Sequence, residues 1–547
     1  MDTDNKKQEI KLTNEQEKVY NTLVEFVKTE NNHAIMLLGS AGTGKTTLVS
    51  KLILDLIKKK LCKRIAIACP THKALGIVKN RLFSSDEDAK FTSNIEIMTI
   101  HRLLNYQNFI DSDGNVYYAK GTTDSNWTIY NLVVIDECSM LSNQIIDDIY
   151  HEINKENNKR IKILFTGDPC QLNPVNQTSS EIFNKKIKTL QLEKIIRTNS
   201  NNIIKLSNSH RKWIISSDDK YMPFLSDFLN EKIILNISKT ENDVNKWLDK
   251  FIKLIKTNNK EDNKEDNKED NKKNHNTLEN NVILTWTNKK CNKYNDYIRK
   301  KMFNKKELLK YEIGEILIFN DFHKIQIKTD EKTTDNIEQT ISFYTSEQIK
   351  LIDIKKDTFQ FEKIKNLKST DLPEKISNKF VQSITSINKI LINTTLDVYY
   401  MKVQKISDLK ENETEEIYNI ISIHDNSEPT YNKLKEYFEV QITKLKNFCH
   451  KTIEELTKTT TIIKLEYLNL VDKKINRIWK DWQQNVIDRF AQLNYGYSIT
   501  VHKSQGSTFK NVFIDITDIF QNNNQQERLK CLYTAITRSS NSLELLV

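Results

Sequence analysis

Eight consecutive residues constrain this chain more than any other feature: Gly39-Ser40-Ala41-Gly42-Thr43-Gly44-Lys45-Thr46, which follow the apolar run AIMLLG at 34–39 and open a helical pattern reaching about residue 60. Only ten glycines occur among 547 residues, and three of them fall in this window. Glycine is needed where the backbone takes a positive φ or a ligand approaches it closely. The pattern GxxxxGK[ST] between a strand and a helix makes a loop whose backbone N–H groups and helix N-terminus surround phosphates. Lys45 then reaches the β- and γ-phosphates of ATP, the Thr46 hydroxyl holds Mg²⁺, and Ser40, Ala41, Thr43 and Thr47 complete the cradle. A glycine-rich turn of purely structural use is the alternative, and the strand–loop–helix context speaks against it.

The same strand–turn–helix cycle recurs at RIAIAC (64–69), NLVVID (131–136) and IKILFTGD (161–168), and a second series appears as VILTW (282–286), VFIDI (512–516) and SLELLV (542–547). Short apolar runs alternating with helical segments predict parallel sheets covered on both faces, an α/β fold. Residues 13–29 read as an amphipathic helix capped by Thr13 or Asn14. The length and a hydrophobic share of 38% suffice for two to four domains. No apolar run approaches the 18 residues of a membrane span, and the charged N-terminus lacks a secretory h-region, so no membrane partner is expected. Seven scattered cysteines without a CxxC pair argue against a disulfide framework or zinc ribbon and for a reducing intracellular compartment, cytoplasm or nucleus. The net charge of +10 suits an anionic partner. The excess of Asn, Lys and Ile points to an AT-rich genome, with a viral source among the options.

Asp136 and Glu137 end the NLVVI run, where a carboxylate beside a phosphate loop is placed to hold Mg²⁺. Asp136 is the expected metal-side group, with Thr46, and Glu137 the expected general base on water. Alone, such a pair is more often a solvated helix cap. Gly167-Asp168-Pro169-Cys170-Gln171 follows a further strand, and Gln171 could contact a γ-phosphate, although Gly-Asp-Pro is turn chemistry in its own right.

GSAGTGKT, CPTHKA (69–74), TIHRLL (99–104), VIDECSM, GDPCQLNPV (167–175), LEKIIRT (192–198), ILTWTNKKCNKYN (283–295), YSITVHKSQGSTF (497–509) and LYTAITRSS (532–540) occur in one order. This set resembles the superfamily 1 helicases, in detail the 5′→3′ branch that includes the phage Dda helicase and RecD. The resemblance covers about 13–210, 282–320 and 489–547. It implies two RecA-like lobes with ATP between them, Lys45, Thr46, Asp136, Glu137 and Gln171 on the first, and Arg197 and Arg538 approaching the γ-phosphate. It also implies nucleotide contacts from Gln16, as the adenine reader, and from Gln505 and Gly506. Thr71, His72, Thr99, His101, Thr500, His502 and Ser504 match segments that line the single-strand channel in similar helicases, where hydroxyls and imidazoles suit phosphate and sugar contact. Trp286 either stacks on a base or belongs to the core.

NFIDSDGNVYYAK (108–120) alternates around Asp113-Gly114, which predicts a hairpin with a type I′ turn. The resemblance makes it the pin that splits duplex DNA; an ordinary surface hairpin is the alternative. The expected organisation is a first lobe over 1–200 with the hairpin insertion at about 85–125, the start of a second lobe over 201–310 and its remainder over 489–547. An SH3-like barrel with an extended Lys-rich insertion is expected over 311–488, with helices around 430–460 and 470–490 and with Trp479 and Trp482 packing them together. The repeat NKEDNKEDNKED (259–270) has no apolar face and reads as a solvated loop over 258–276. The resulting expectation is an ATP- and Mg²⁺-dependent helicase moving 5′→3′ on single-stranded DNA and unwinding duplex or forked DNA. It would be monomeric and could work with replication, repair or recombination proteins. Two other readings stay open: an RNA helicase or RNA-remodelling ATPase of the same superfamily, and a non-catalytic nucleic-acid-binding scaffold.

Overall fold

The computed structural model describes residues 11–29, 33–83, 90–121, 126–174, 177, 179–261, 281–305, 307–327, 339–364, 371–405, 416–456 and 461–547. Six parallel strands form the first sheet, in the spatial order Ile95–Thr99, Ile65–Cys69, Leu132–Ile135, Lys162–Gly167, Ala34–Gly39 and Lys188–Leu192. The continuous apolar runs are continuous because both faces are covered, and the period-two alternation of strands divides them cleanly. Ile35, Leu37, Ile65, Ile67, Leu132, Val134 and Leu164 meet helices Asn14–Lys28, Lys45–Lys58 and His72–Leu82 on one side. Met36, Ala66, Ala68, Val133, Ile135, Ile163 and Phe165 meet helix Asn143–Asn154 on the other. Asn14–Lys28 begins with Thr13 and Gln16 in a reciprocal capping box.

A second parallel sheet has the order Ser498–Thr500, Asn281–Thr285, Phe509–Asp515, Ser539–Leu546 and Ile233–Asn236. Ser498–Thr500 and Ile233–Asn236 were not expected as strands. They are short, and the apolar pattern of each is only three to four residues long. Trp286 packs beside the core of this sheet, which is the second of its two readings. Helix Glu241–Glu261 runs on into the first turn of the NKED repeat. The expected loop therefore begins later than residue 258, and 262–276 lie outside the described residues. All seven cysteines are buried and unpaired.

Between the second-lobe strands lies an antiparallel sheet in the order Ile417–Ile423, Thr395–Lys405, Gln348–Gln360, Ile316–Phe319 and Leu493–Tyr495. Leu493–Tyr495 pairs with Ile316–Phe319, so this sheet runs past the expected boundary at 488. An Ala491 N–H bond to the Ile421 carbonyl (2.7 Å) ties its far edges together. A separate antiparallel pair, His323–Ile327 with Gln339–Phe343, packs on its core through Phe343, Ile325 and Ile341. Helices Glu374–Asn393, Glu428–Leu456 and Thr461–Trp482 pack as one layer. The first was not expected, although Ile376, Phe380, Ile384, Ile387 and Leu391 have helical spacing and are all buried. Trp482 stacks on Phe438 with ring centroids 3.8 Å apart, and Trp479 meets the same ring edge-on at 4.9 Å.

The 108–120 hairpin pairs Tyr106–Ile110 with Val116–Lys120. Its turn corrects the type I′ expectation, which needs positive φ at both central residues. Only Gly114 has one (φ 85°), and the Asp111 carboxylate accepts the N–H groups of Asp113 (2.9 Å) and Asn115 (2.8 Å). With Gly114 N–H on the Asp111 carbonyl, this is a type I turn followed by a left-handed glycine. The tip does not stand free. Asp113 is paired with Lys446 at 2.6 Å, and a Cβ on Gly114 would lie 2.6 Å from the Trp479 ring. Gly114→Val combines that clash with a strained backbone and is expected to cost about 1–3 kcal/mol. Chemical denaturation would read the loss, and limited proteolysis should show new cleavage within 106–120.

Candidate functional site

The phosphate loop joins strand Ala34–Gly39 to helix Lys45–Lys58, at the carboxyl end of the first sheet where such sheets bind ligands. The helix starts with no side-chain cap and no acid in its first turn, so its N–H groups are available to an anion. Gly42 (φ 87°) and Gly44 (φ 82°) set the left-handed turns. A Cβ on Gly42 would come within 2.6 Å of the Arg197 Cβ, and one on Gly44 within 2.8 Å of Ile196. The loop is therefore pressed against residues 195–197, and the N–H groups of Ile196 and Arg197 both donate to the Gly42 carbonyl (2.8 and 3.1 Å).

Buried Lys45 donates to the carbonyls of Gly39 (2.7 Å) and Ser40 (3.3 Å). Burial lowers its pKa, against the pull of Asp168, Glu137 and Asp136. The Thr46 hydroxyl stands 3.5 Å from Asp136 Oδ2, and the other Asp136 oxygen accepts from Thr166. Glu137 has a left-handed backbone (φ 53°), a conformation that costs a non-glycine residue about 1–3 kcal/mol and is typical of functional sites. Burial and neighbouring Asp136 raise its carboxyl pKa, while Lys45 and Arg538 oppose the rise. Glu137 Oε2 and Gln171 Oε1 are buried acceptors without a hydrogen-bond partner. An unmatched carboxylate oxygen on Glu137 beside Lys45 and an open helix N-terminus are the chemistry of a polyanion, water and metal site. The hard oxygens of Thr46 and Asp136 fit Mg²⁺, which takes one or two carboxylates and completes its shell with water and phosphate oxygens.

The two arginines meet where the lobes meet. Arg197 donates to the Thr537 carbonyl (2.7 Å) of the second lobe. Arg538 is fully buried on the carbonyls of Thr534 (3.0 Å) and Ser507 (3.2 Å). Burial and the nearby Arg538 pull the Arg197 pKa down to about 9. Both guanidinium groups feel the Glu137 carboxylate. Gln16 lies under the loop: its amide nitrogen donates to the Thr43 carbonyl (3.0 Å) and its oxygen accepts the Thr13 N–H (3.0 Å). The Thr47 hydroxyl accepts from Arg81. Gln505 is buried, and a Cβ on Gly506 (φ 81°) would meet Ile77 of helix His72–Leu82 at 3.7 Å.

Asp168 is the functional residue that the sequence reading passed over as part of a turn. Its carboxylate, fully buried, accepts the Ala41 N–H of the phosphate loop (3.0 Å), the Cys170 N–H (3.1 Å) and the Tyr533 hydroxyl of the second lobe (2.8 Å), and it pairs with Arg211. A strand-end acid inside an otherwise apolar segment was the available signal.

The expected nucleic-acid residues divide. Thr71 and Thr99 cap helices His72–Leu82 and Ile100–Leu103 through the N–H groups of Ala74 (3.3 Å) and Arg102 (3.2 Å). His72 and His101 sit half-buried at the surface between the first lobe, the hairpin and the insertion, and burial lowers the pKa of each. Ser504 is a correction: it is fully buried with its hydroxyl on the Val501 carbonyl (2.7 Å), so its side chain has no face for a strand. Thr500 is buried too, accepting the Lys503 N–H (3.4 Å), whereas His502 stays partly exposed. Among the described residues no helix is long and apolar enough to cross a membrane.

Residues 24–177 match the AAA domain family, and residues 495–546 match the UvrD-like helicase C-terminal domain. The chain is 31% identical over 556 residues to the uncharacterized protein R530 of Acanthamoeba polyphaga mimivirus, covering 96% of this chain and 98% of that one. It is 23% identical over 320 residues to the ATP-dependent DNA helicase dda of Enterobacteria phage T4, covering 57% and 61%. The Pif1 helicase structure from Candida albicans aligns over 98% of this chain and 95% of that one, with 16% identity and a TM-score of 0.40. With its phosphate loop, its paired strand-end acids, two RecA-like lobes and an arginine from each side of their junction, this chain belongs to the superfamily 1 helicases, in the Dda- and RecD-like branch.

Proposed function

We propose that the protein is an ATP-dependent DNA helicase that moves 5′→3′ along single-stranded DNA and unwinds duplex at a fork. One observation carries this reading: Lys45, Asp136 and Glu137 on the first lobe lie close to Arg197 and Arg538 at the boundary with the second. Mg²⁺ held by Thr46 and Asp136 would supply charge neutralisation at the β- and γ-phosphates. Lys45 leaves its carbonyl partners for the phosphate oxygens, and Glu137 takes the proton of the attacking water. Arg197 and Arg538 stabilise charge on the transferring phosphoryl group only when the lobes bring them to it, which links hydrolysis to lobe movement. The hairpin, braced at its tip, is the element proposed to part the strands. A DNA substrate is also named for relatives such as dda.

ATP hydrolysis measured without nucleic acid, with single-stranded DNA and with single-stranded RNA, at two salt concentrations, tests the reading. Stimulation by DNA above RNA, weakening with salt, is expected, followed by unwinding of 5′-tailed but not 3′-tailed duplexes. Equal or greater stimulation by RNA would move the substrate to RNA. No hydrolysis under any condition would leave a nucleic-acid-binding scaffold.

A further inference from the structure

His72 opens helix His72–Leu82 in the first lobe, and its ring lies in a cluster with two aromatic residues of the insertion. The Tyr344 ring stacks on it at 3.9 Å between centroids with an interplanar angle of 12°, and the Phe322 ring lies at 6.0 Å and 24°. Phe322 and Tyr344 are themselves 5.6 Å apart. Both leave the same end of one hairpin, since His323 pairs with Phe343 and these two residues flank that pair. Strand alternation explains their direction. Phe343 and His323 turn inward onto Phe319 (4.7 and 5.9 Å), so residues 322 and 344 turn outward.

Packing alone does not account for this cluster. Phe322 keeps 47% of its surface exposed, which a core contact would have hidden. Cations border the rings: Lys324 lies 5.2 Å from the Phe322 ring centroid, and Lys503 donates to Asn320, two residues before Phe322, at 3.1 Å. Lys73, next to His72, donates to the Lys503 carbonyl (3.5 Å). Exposed rings beside lysines and capped helix termini are the elements of a sequence-tolerant single-strand site: rings for base faces, cations for phosphates. Burial, with His101 nearby, holds the His72 pKa down at about 4, so its imidazole stacks as a neutral ring at physiological pH.

We propose that Phe322 and Tyr344, facing His72, are the base-stacking site of the single-strand path, with one base entering between His72 and Tyr344. This rests on the function proposed above. The two rings must part by about 3.4 Å, one base thickness. They belong to different parts of the molecule, so an entering base spreads the first lobe from the insertion.

The test is fluorescence anisotropy of the full-length protein with labelled oligo-dT and with an abasic strand of equal length. Phe322→Ala and Tyr344→Ala are expected to weaken oligo-dT binding about 5- to 150-fold each while leaving abasic-strand binding unchanged. Tyr344→Phe, which keeps the ring, should bind as the wild type does. Equal losses on both strands, or no loss on either, would overturn the proposal and leave the rings as a clasp between lobes. Phe322→Leu serves if an alanine variant melts early, because a half-exposed leucine keeps the fold but offers no π-face. If the wild type binds neither strand, the fault lies with the helicase reading and not with these rings.

Discussion

Replacing Asp168 with alanine will lower the stability of the protein by about 3–5 kcal/mol, the cost of removing one member of a buried ion pair. Arg211, itself only 13% exposed at the side chain, would keep its charge with no carboxylate beside it and only the Tyr533 hydroxyl, 3.4 Å away, as an acceptor. Three further donors, the N–H groups of Ala41 and Cys170 and the Tyr533 hydroxyl, would lose theirs as well. Asp168→Asn keeps the volume and one acceptor oxygen, so it should recover part of the loss but not the pairing with Arg211. The urea midpoints of the two variants check the order. If alanine shifts the midpoint no more than a surface substitution does, the carboxylate is not holding these elements together. Since Ala41 is in the phosphate loop and Tyr533 in the second lobe, Asp168→Asn should also weaken the dependence of ATP hydrolysis on nucleic acid.

Glu137→Gln will reduce kcat for ATP hydrolysis by about 10²–10⁴-fold, the usual contribution of a positioned base, and will leave nucleotide binding largely intact. The substitution is nearly isosteric and removes a charge that burial already disfavours, so the cleft should hold its shape. Loss of the negative charge also relieves Arg197 and Arg538 of their acidic neighbour, which should tighten ATP binding slightly. Single-turnover hydrolysis beside a direct nucleotide-binding measurement separates the two effects. A kcat within tenfold of the wild type would remove Glu137 from the role of base.

The parts legible from sequence were those that a short window dictates. Gly42 and Gly44 occupy positive φ within three residues of each other, and Asp136 and Glu137 end a fully buried strand, so local pattern and site coincide there. Asp168 escaped because its partners Ala41, Arg211 and Tyr533 lie 127, 43 and 365 residues away, and nothing nearby marks a carboxylate as shared. The hairpin turn was misread because the dipeptide Asp113-Gly114 was weighed without Asp111, whose side chain captures two N–H groups and selects another turn. Ser504 was grouped with the hydroxyls of the strand channel by its place in the segment, yet its own side chain is buried on the Val501 carbonyl while neighbouring His502 stays partly exposed. Helix Glu374–Asn393 was hidden by the polar composition of its surroundings, although its apolar residues recur every three to four positions.

The hairpin leaves the first lobe, but its tip is fastened to helices inserted in the second, through Asp113–Lys446 and Gly114 against Trp479. The lobes are therefore joined not only across the nucleotide cleft and through His72 against Phe322 and Tyr344 but also at this tip, and the chain forms a closed linkage instead of a simple hinge. In such a linkage no joint turns alone. Any rotation at the cleft has to be taken up at the tip, in the hairpin stem or by sliding between helices Glu428–Leu456 and Thr461–Trp482. The fastening thus works as a lever arm: it carries a displacement made at the phosphates to the far end of the molecule, and its stiffness sets how much of that stroke arrives.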